Sequence, residues 1–194
     1  PQPALTLALK RVLFVCTGNT CRSPMAEALF RGLVQGRPDY EVLSAGLSAC
    51  SGDLASHYTE ELMRDMGHDL SRHRSRRVTA ELLDQFTHIV AMGQHHVDAI
   101  EAMFPEAAHK TYLVSEFSPD DLLRSRDVSD PFGGSRDDYA ETRDILLALL
   151  PTVLAYIDQT FDKPHANPTA MSATAPASAK PVSTTQRLAI GADH

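Results

Sequence analysis

The stretch Val12-Leu13-Phe14-Val15-Cys16-Thr17-Gly18-Asn19-Thr20-Cys21-Arg22-Ser23-Pro24 leaves the backbone little choice. Four β-prone apolar residues run into a cysteine, five residues separate that cysteine from an arginine, and Ser-Pro opens a segment with apolar residues at helical spacing. The pattern predicts a strand, a tight loop and the start of a helix. Gly18 and Asn19 tolerate left-handed backbone angles, Ser23 suits an N-cap, and Pro24 suits the first helical position. A thiol where a loop enters a helix N-terminus meets the positive end of the helix dipole and inward-pointing N–H groups, which favour a thiolate. The same N–H groups suit a tetrahedral oxyanion, and Arg22 adds a planar fork for two phosphate oxygens. Together they predict a loop that binds phosphate and attacks it through Cys16. A bare Cys-x5-Arg spacing is weak evidence; the agreement of the flanking residues carries the reading.

Strands are expected at 11–15, 40–44, 88–92 and 111–114, and helices at about 23–35, 56–66, 79–86, 94–104 and 137–157. In the first helix Met25, Ala28, Leu29 and Leu33 are expected inward, and in the second Leu62, Met63 and Met66; Pro151 is expected to kink the last. Strands alternating with helices predict a three-layer α/β fold with a parallel sheet and right-handed crossovers, in which ligands bind at the carboxyl ends of strands. The apolar content, 43% of 194 residues, suffices for one good core. The expected division is an N-terminal extension at 1–10, a catalytic domain at 11–162, and a disordered tail rich in Ala, Pro, Ser and Thr at 163–194.

A net charge of −7 argues against a nucleic-acid partner, and no apolar run approaches a membrane span or a signal sequence. Three cysteines, one in a reactive setting, fit a reducing compartment, so a cytoplasmic location is expected. No cofactor and no metal are expected: His95 and His96 have no cysteine or carboxylate at ligand spacing and read as exposed helix residues. Arginines 72, 74, 76 and 77 flank His73 in a run that reads as a solvated surface, or as an attraction for acidic substrate proteins.

The run Val15-Cys16-Thr17-Gly18-Asn19-Thr20-Cys21-Arg22-Ser23-Pro24-Met25-Ala26-Glu27 resembles the phosphate loop of the low-molecular-weight protein tyrosine phosphatases. Ser44-Ala45-Gly46, His73 and Asp130-Pro131-Phe132-Gly133-Gly134 follow in that family's order, so the resemblance covers roughly residues 10–160. Thr20, where tyrosine phosphatases usually carry a branched aliphatic residue, and Phe-Gly-Gly after Asp-Pro resemble the protein-arginine phosphatase branch. The resemblance implies a four-stranded parallel sheet in the order 2-1-3-4 and turnover through a cysteinyl-phosphate. It implies Cys16 as nucleophile, Arg22 as phosphate binder and Asp130 as general acid, although by composition alone Asp130 reads as a turn former. It further implies that Thr17, Gly18, Asn19, Thr20, Cys21 and Phe132 contact the substrate, that Ser23 hydrogen-bonds the thiolate, and that Ser44 and His73 hold Asn19.

The expected activity is hydrolysis of phosphorylated protein side chains by a monomer, with phosphoarginine favoured and phosphotyrosine the alternative. An arsenate reductase of this fold needs a further pair of redox cysteines, and beyond the loop only Cys50 is present. A phosphate-binding module without turnover would be marked by a lost Cys, Arg or Asp, and all three are in place.

Overall fold

The computed structural model describes residues 8–161; residues 1–7 and the tail expected at 163–194 lie outside them. The central strand β1 (Lys10–Cys16) pairs in parallel with β2 (Tyr40–Gly46) on one side and β3 (His88–Ala91) on the other, and β4 (Thr111–Leu113) lies beyond β3. The sheet order is therefore β2-β1-β3-β4, as the resemblance implies. Helices α1 (Arg22–Leu33), α2 (His57–Asp65), α3 (Ala80–Asp84), α4 (Gln94–Met103) and α5 (Arg136–Thr160) surround it, with a 3-10 turn at Pro105–Lys110.

The apolar run of β1 exists because both of its faces are covered. Val12 and Phe14 point into one layer, packing with Met25 and Phe30 of α1, Leu62 of α2 and Leu146 and Leu149 of α5. Leu13 and Val15 point into the other, with Leu83, Ile89 and Ile100. α5 begins at a capping box in which Ser135 and Asp138 satisfy each other's backbone N–H, and it runs on through Pro151 to Thr160. Its last turn is clipped to the starts of the strands by Asp158, which accepts from both Arg37 Nη atoms at 2.7 and 2.8 Å. That clip sits at the edge of the sheet opposite Cys16.

Two expected core positions are exposed instead: Leu33 is 43% and Met66 40% accessible. Leu33 is the last residue of α1 and Met66 caps α2, so each lies where its helix has run past the layer it covers. Among the described residues no helix is long and apolar enough to cross a membrane.

The chain leaves β1 for β2 on one side and then crosses to β3 on the other. The carboxyl end of β1 is thus the point where the winding reverses, and an open crevice forms there in sheets of this kind. Cys16 is the last residue of that strand.

Candidate active site

Cys16 is 2% accessible, at the mouth of a loop that closes where α1 begins. Of the two residues expected to take left-handed angles, only Asn19 does so, with φ of 57°. Such a conformation costs an asparagine of the order of 1 kcal/mol, and hydrogen bonds on every side of the residue offset it. Its N–H donates to Cys16 Sγ at 3.3 Å, and its Nδ2 donates to Ser23 Oγ and to Ser44 Oγ, both at 2.9 Å. Its Oδ1 accepts from the Arg76 N–H at 2.9 Å, and its carbonyl accepts from His73 Nε2 at 2.8 Å. A carbonyl only accepts, so His73 carries its proton on Nε2.

Behind Asn19 the chain of contacts continues to a residue without an assigned role in the sequence reading. Ser44 Oγ donates to Glu27 Oε2 at 2.5 Å, and Glu27 Oε1 is paired with Arg31 at 2.8 Å. Glu27 is buried and lies four residues beyond Ser23, on the same face of α1. Gly46 closes the loop's other flank: a Cβ there would stand 2.6 Å from the Thr17 carbonyl and 2.8 Å from the Asn19 nitrogen. Any side chain at position 46 would push the loop off its place.

Ser23 is not the N-cap. Helix α1 starts two residues earlier than that cap requires, with Cys21 at the cap and no side-chain capping bond, and Pro24 falls at the third helical position. The Ser23 hydroxyl instead lies 2.9 Å from Cys16 Sγ and 3.3 Å from the Ala45 carbonyl. It has one proton for two acceptors. Against a thiol it donates to Ala45 and accepts from the S–H; against a thiolate it turns to the sulfur.

Arg22 is 3% accessible. Its Nη1 donates to the Val128 carbonyl at 3.1 Å and its Nη2 to Asp130 Oδ2 at 2.8 Å, while Nε is buried and has no partner among the described residues. A buried guanidinium donor with nothing to bind is suited to an anion at the loop. Asp130 is about half exposed, and its Oδ1 accepts from the Phe132 N–H at 3.3 Å. Gly133 turns the chain with φ of 79°, and the Gly134 N–H returns to the Pro131 carbonyl at 2.8 Å. The Phe132 ring stands 75% exposed on this loop.

At the end of the loop, Ser56 donates to the Thr20 carbonyl from its N–H at 2.8 Å and from its hydroxyl at 3.1 Å. Cys21 Sγ lies 2.7 Å from Ser56 Oγ and 3.4 Å from the Tyr139 hydroxyl. Burial, and the contact with Cys21, push that phenol up to about 12. Ser56 and Tyr139 come from α2's start and α5 and carry no signal in the sequence.

His96 corrects an expectation. It is fully buried, and its Nε2 lies 2.9 Å from Thr17 Oγ1. It is the inward residue of α4 together with Val97 and Ile100, and the His95–His96 pair hides this because only His95 faces out. Among the described residues no group of three or more His, Cys, Asp or Glu side chains could hold a metal ion. Burial first, then the charges of His95 and Arg22, push His96 down to about 4. In the unfolded chain a histidine takes up its proton near its ordinary 6.5. The stability from this group is therefore complete above about pH 6.5 and is lost as the pH falls from there towards 4, by roughly 3 kcal/mol. Urea unfolding of His96→Gln across that range is expected to show a shallower loss than the wild type; an equal slope would assign the acid sensitivity to other groups.

The sequence profile described as "Low molecular weight phosphotyrosine protein phosphatase" matches residues 11–163. A protein-arginine-phosphatase of Geobacillus stearothermophilus is 41% identical over 140 residues, covering 72% of this chain and 90% of that protein. A probable low molecular weight protein-tyrosine-phosphatase, EpsP of Ralstonia solanacearum, is 36% identical over 124 residues, covering 64% and 79%. Among solved structures, a YwlE arginine phosphatase in which serine replaces the active-site cysteine and is phosphorylated superimposes with a TM-score of 0.71 at 34% identity, over 77% of this chain and 97% of that one. The chain belongs to the low-molecular-weight protein tyrosine phosphatase family. It is a cysteine-dependent protein phosphatase.

Proposed function

We propose that this phosphatase acts on phosphoarginine in proteins, and that Cys16, Arg22 and Asp130 carry the reaction. Cys16 Sγ attacks phosphorus while Arg22 and the N–H groups of residues 17–21 hold the phosphoryl oxygens. The P–N bond breaks as Asp130 gives its proton to the departing guanidine nitrogen. Water then attacks the cysteinyl-phosphate and passes a proton to Asp130, and the S–P bond breaks to release phosphate and the thiolate.

The observation that carries the substrate choice is Thr20. It is a half-buried residue of the loop, its carbonyl is pinned by Ser56, and its hydroxyl lies 3.6 Å from Cys21 Sγ. A guanidinium-like substrate presents several N–H donors, which the Thr20 hydroxyl and the carbonyl oxygen of the protonated Asp130 carboxyl accept, and Phe132 can stack on its plane. The Geobacillus relative named protein-arginine-phosphatase supports the same choice. Phosphotyrosine is the second reading: the exposed Phe132 ring would pack equally well on a phenol. The three free thiols support action in the cytoplasm, and the reading takes the active species to be a monomer.

Turnover of matched phosphoarginine and phosphotyrosine peptides tests this directly. Thr20→Ile is expected to lower kcat/KM for phosphoarginine and raise it for phosphotyrosine, shifting their ratio by about tenfold or more, the scale of one changed pocket contact. Parallel changes on both substrates would mean that Thr20 does not select, and would favour the tyrosine reading.

A further inference from the structure

We infer that residues 71–77 form a docking strap for acidic stretches that flank the phosphorylated residue of a protein substrate. The inference rests on the reading above for the seat of the phosphoryl group. His73 and the Arg76 N–H both bind Asn19 of the loop, and the Arg76 carbonyl accepts from the Gly46 N–H at 2.9 Å. The Ser75 N–H donates to the Asp53 carbonyl at 2.8 Å, and the Ser75 hydroxyl donates to the Cys50 carbonyl. The strap is thus fixed on both of its sides, directly against the loop that receives the substrate.

Its arginines are differently placed from others in the chain. Arg22, Arg31, Arg37 and Arg136 each pair with a carboxylate within 3.1 Å. Among the described residues none lies within 4 Å of the guanidinium groups of arginines 72, 74, 76 and 77. Arg72, Arg74 and Arg77 are exposed and Arg76 is half-buried. Arg74 reaches only backbone carbonyls, those of Ser71 at 3.1 Å and His73 at 2.7 Å. Asp69 is the acid nearest in sequence, and its Oδ1 accepts from the Ser71 N–H at 2.9 Å. Four arginines on seven residues, none with a carboxylate within 4 Å among the described residues and only Arg72 with an acid, Asp69, near enough to feel its charge, stand out in a chain of net charge −7.

An extended peptide advances about 3.3 Å per residue. With its phosphorylated side chain in the loop, the neighbouring residues of a substrate lie within a few steps of the strap. Acidic side chains there meet unpaired guanidinium groups that can bind a carboxylate with two N–H donors each. Contacts of this kind at a rim act on encounter and weaken with salt. The position beside the phosphoryl seat favours an acidic protein over a nucleic acid, which has no reason to end at Asn19.

The test uses peptides with one phosphoarginine flanked by Glu, Ala or Lys, the same set with phosphotyrosine, and p-nitrophenyl phosphate as a substrate too small to touch the strap. The Glu-flanked peptides are expected to show a KM about tenfold below the Ala-flanked ones at equal kcat, with the difference fading at about 0.5 M salt. Arg72→Glu/Arg74→Glu/Arg77→Glu is expected to abolish the flank preference while turning over p-nitrophenyl phosphate normally. Since Arg74 also braces the backbone at His73, Arg72→Glu/Arg77→Glu is run beside it and is expected to lose most of the preference. Wild-type protein indifferent to flanking charge overturns the inference, as does a single-stranded RNA that binds the strap while flanks make no difference. Failure of the phosphoarginine reading looks different: phosphoarginine peptides would not turn over, and the flank preference would persist on phosphotyrosine.

Discussion

Cys16→Ser is expected to stop turnover, lowering kcat by about six orders of magnitude, the scale at which loss of a covalent nucleophile is felt, with the fold and phosphate binding retained. The replacement is nearly isosteric. The new oxygen would sit in the same buried place, within reach of the Ser23 hydroxyl and the Asn19 N–H that now approach Cys16 Sγ at 2.9 and 3.3 Å. What is lost is chemistry: at neutral pH an alcohol is a far weaker nucleophile towards phosphorus than a cysteine sulfur. The second half-reaction suffers as well, because an alkoxide is a far poorer leaving group than a thiolate. The variant is therefore expected to phosphorylate slowly and then hold the phosphoryl group, as the serine does in the YwlE variant with that replacement. Intact-protein mass spectrometry after incubation with substrate should find one phosphoryl group at position 16. A serine variant that turned over at the wild-type rate would end the assignment of Cys16 as nucleophile.

The parts of this molecule that were legible in the sequence share one property: their signal is local. Val12–Val15 announced a strand covered on both faces because no polar residue interrupts it, and the loop and Arg22 announced themselves because turn, dipole and charge fall within a few positions. Contacts between distant segments leave no such trace. Asp130 meets Arg22 across 108 positions, and nothing in its immediate neighbours separates an acid over an active site from an ordinary turn former. Only the resemblance singled it out. Glu27, Gly46, Ser56, Tyr139 and His96 position the loop through contacts made by folding, so the sequence alone could not rank them. His96 had a signal that went unused: with Ile100 it falls at the i, i+4 spacing of the buried stripe of α4. The N-cap reading of Ser23 failed for a different reason, while the contact with Cys16 that the resemblance implied is present. A serine before a proline reads as an N-cap, and shifting the helix start by two residues turns the same hydroxyl from a backbone acceptor into the partner of Cys16.

The second large effect belongs to Asp130. Asp130→Asn keeps an oxygen that can accept from Arg22 Nη2, so the loop at 128–134 should stay in place, and binding of the substrate should change little. It removes the proton. For phosphoarginine the departing group would otherwise leave as a strongly basic guanidine anion, so protonation in the transition state is worth about 10²–10⁴ in rate. For p-nitrophenyl phosphate the departing phenolate is already stable, and the first step should slow far less. The water step still lacks its base in the variant, so this good leaving group should then give a burst of p-nitrophenol followed by slow turnover, with phosphate held on Cys16. Rapid-mixing kinetics on the two substrates measure both steps. An equal loss on good and poor leaving groups, with no burst, would remove Asp130 from the acid role and leave it only as the carboxylate that orients Arg22.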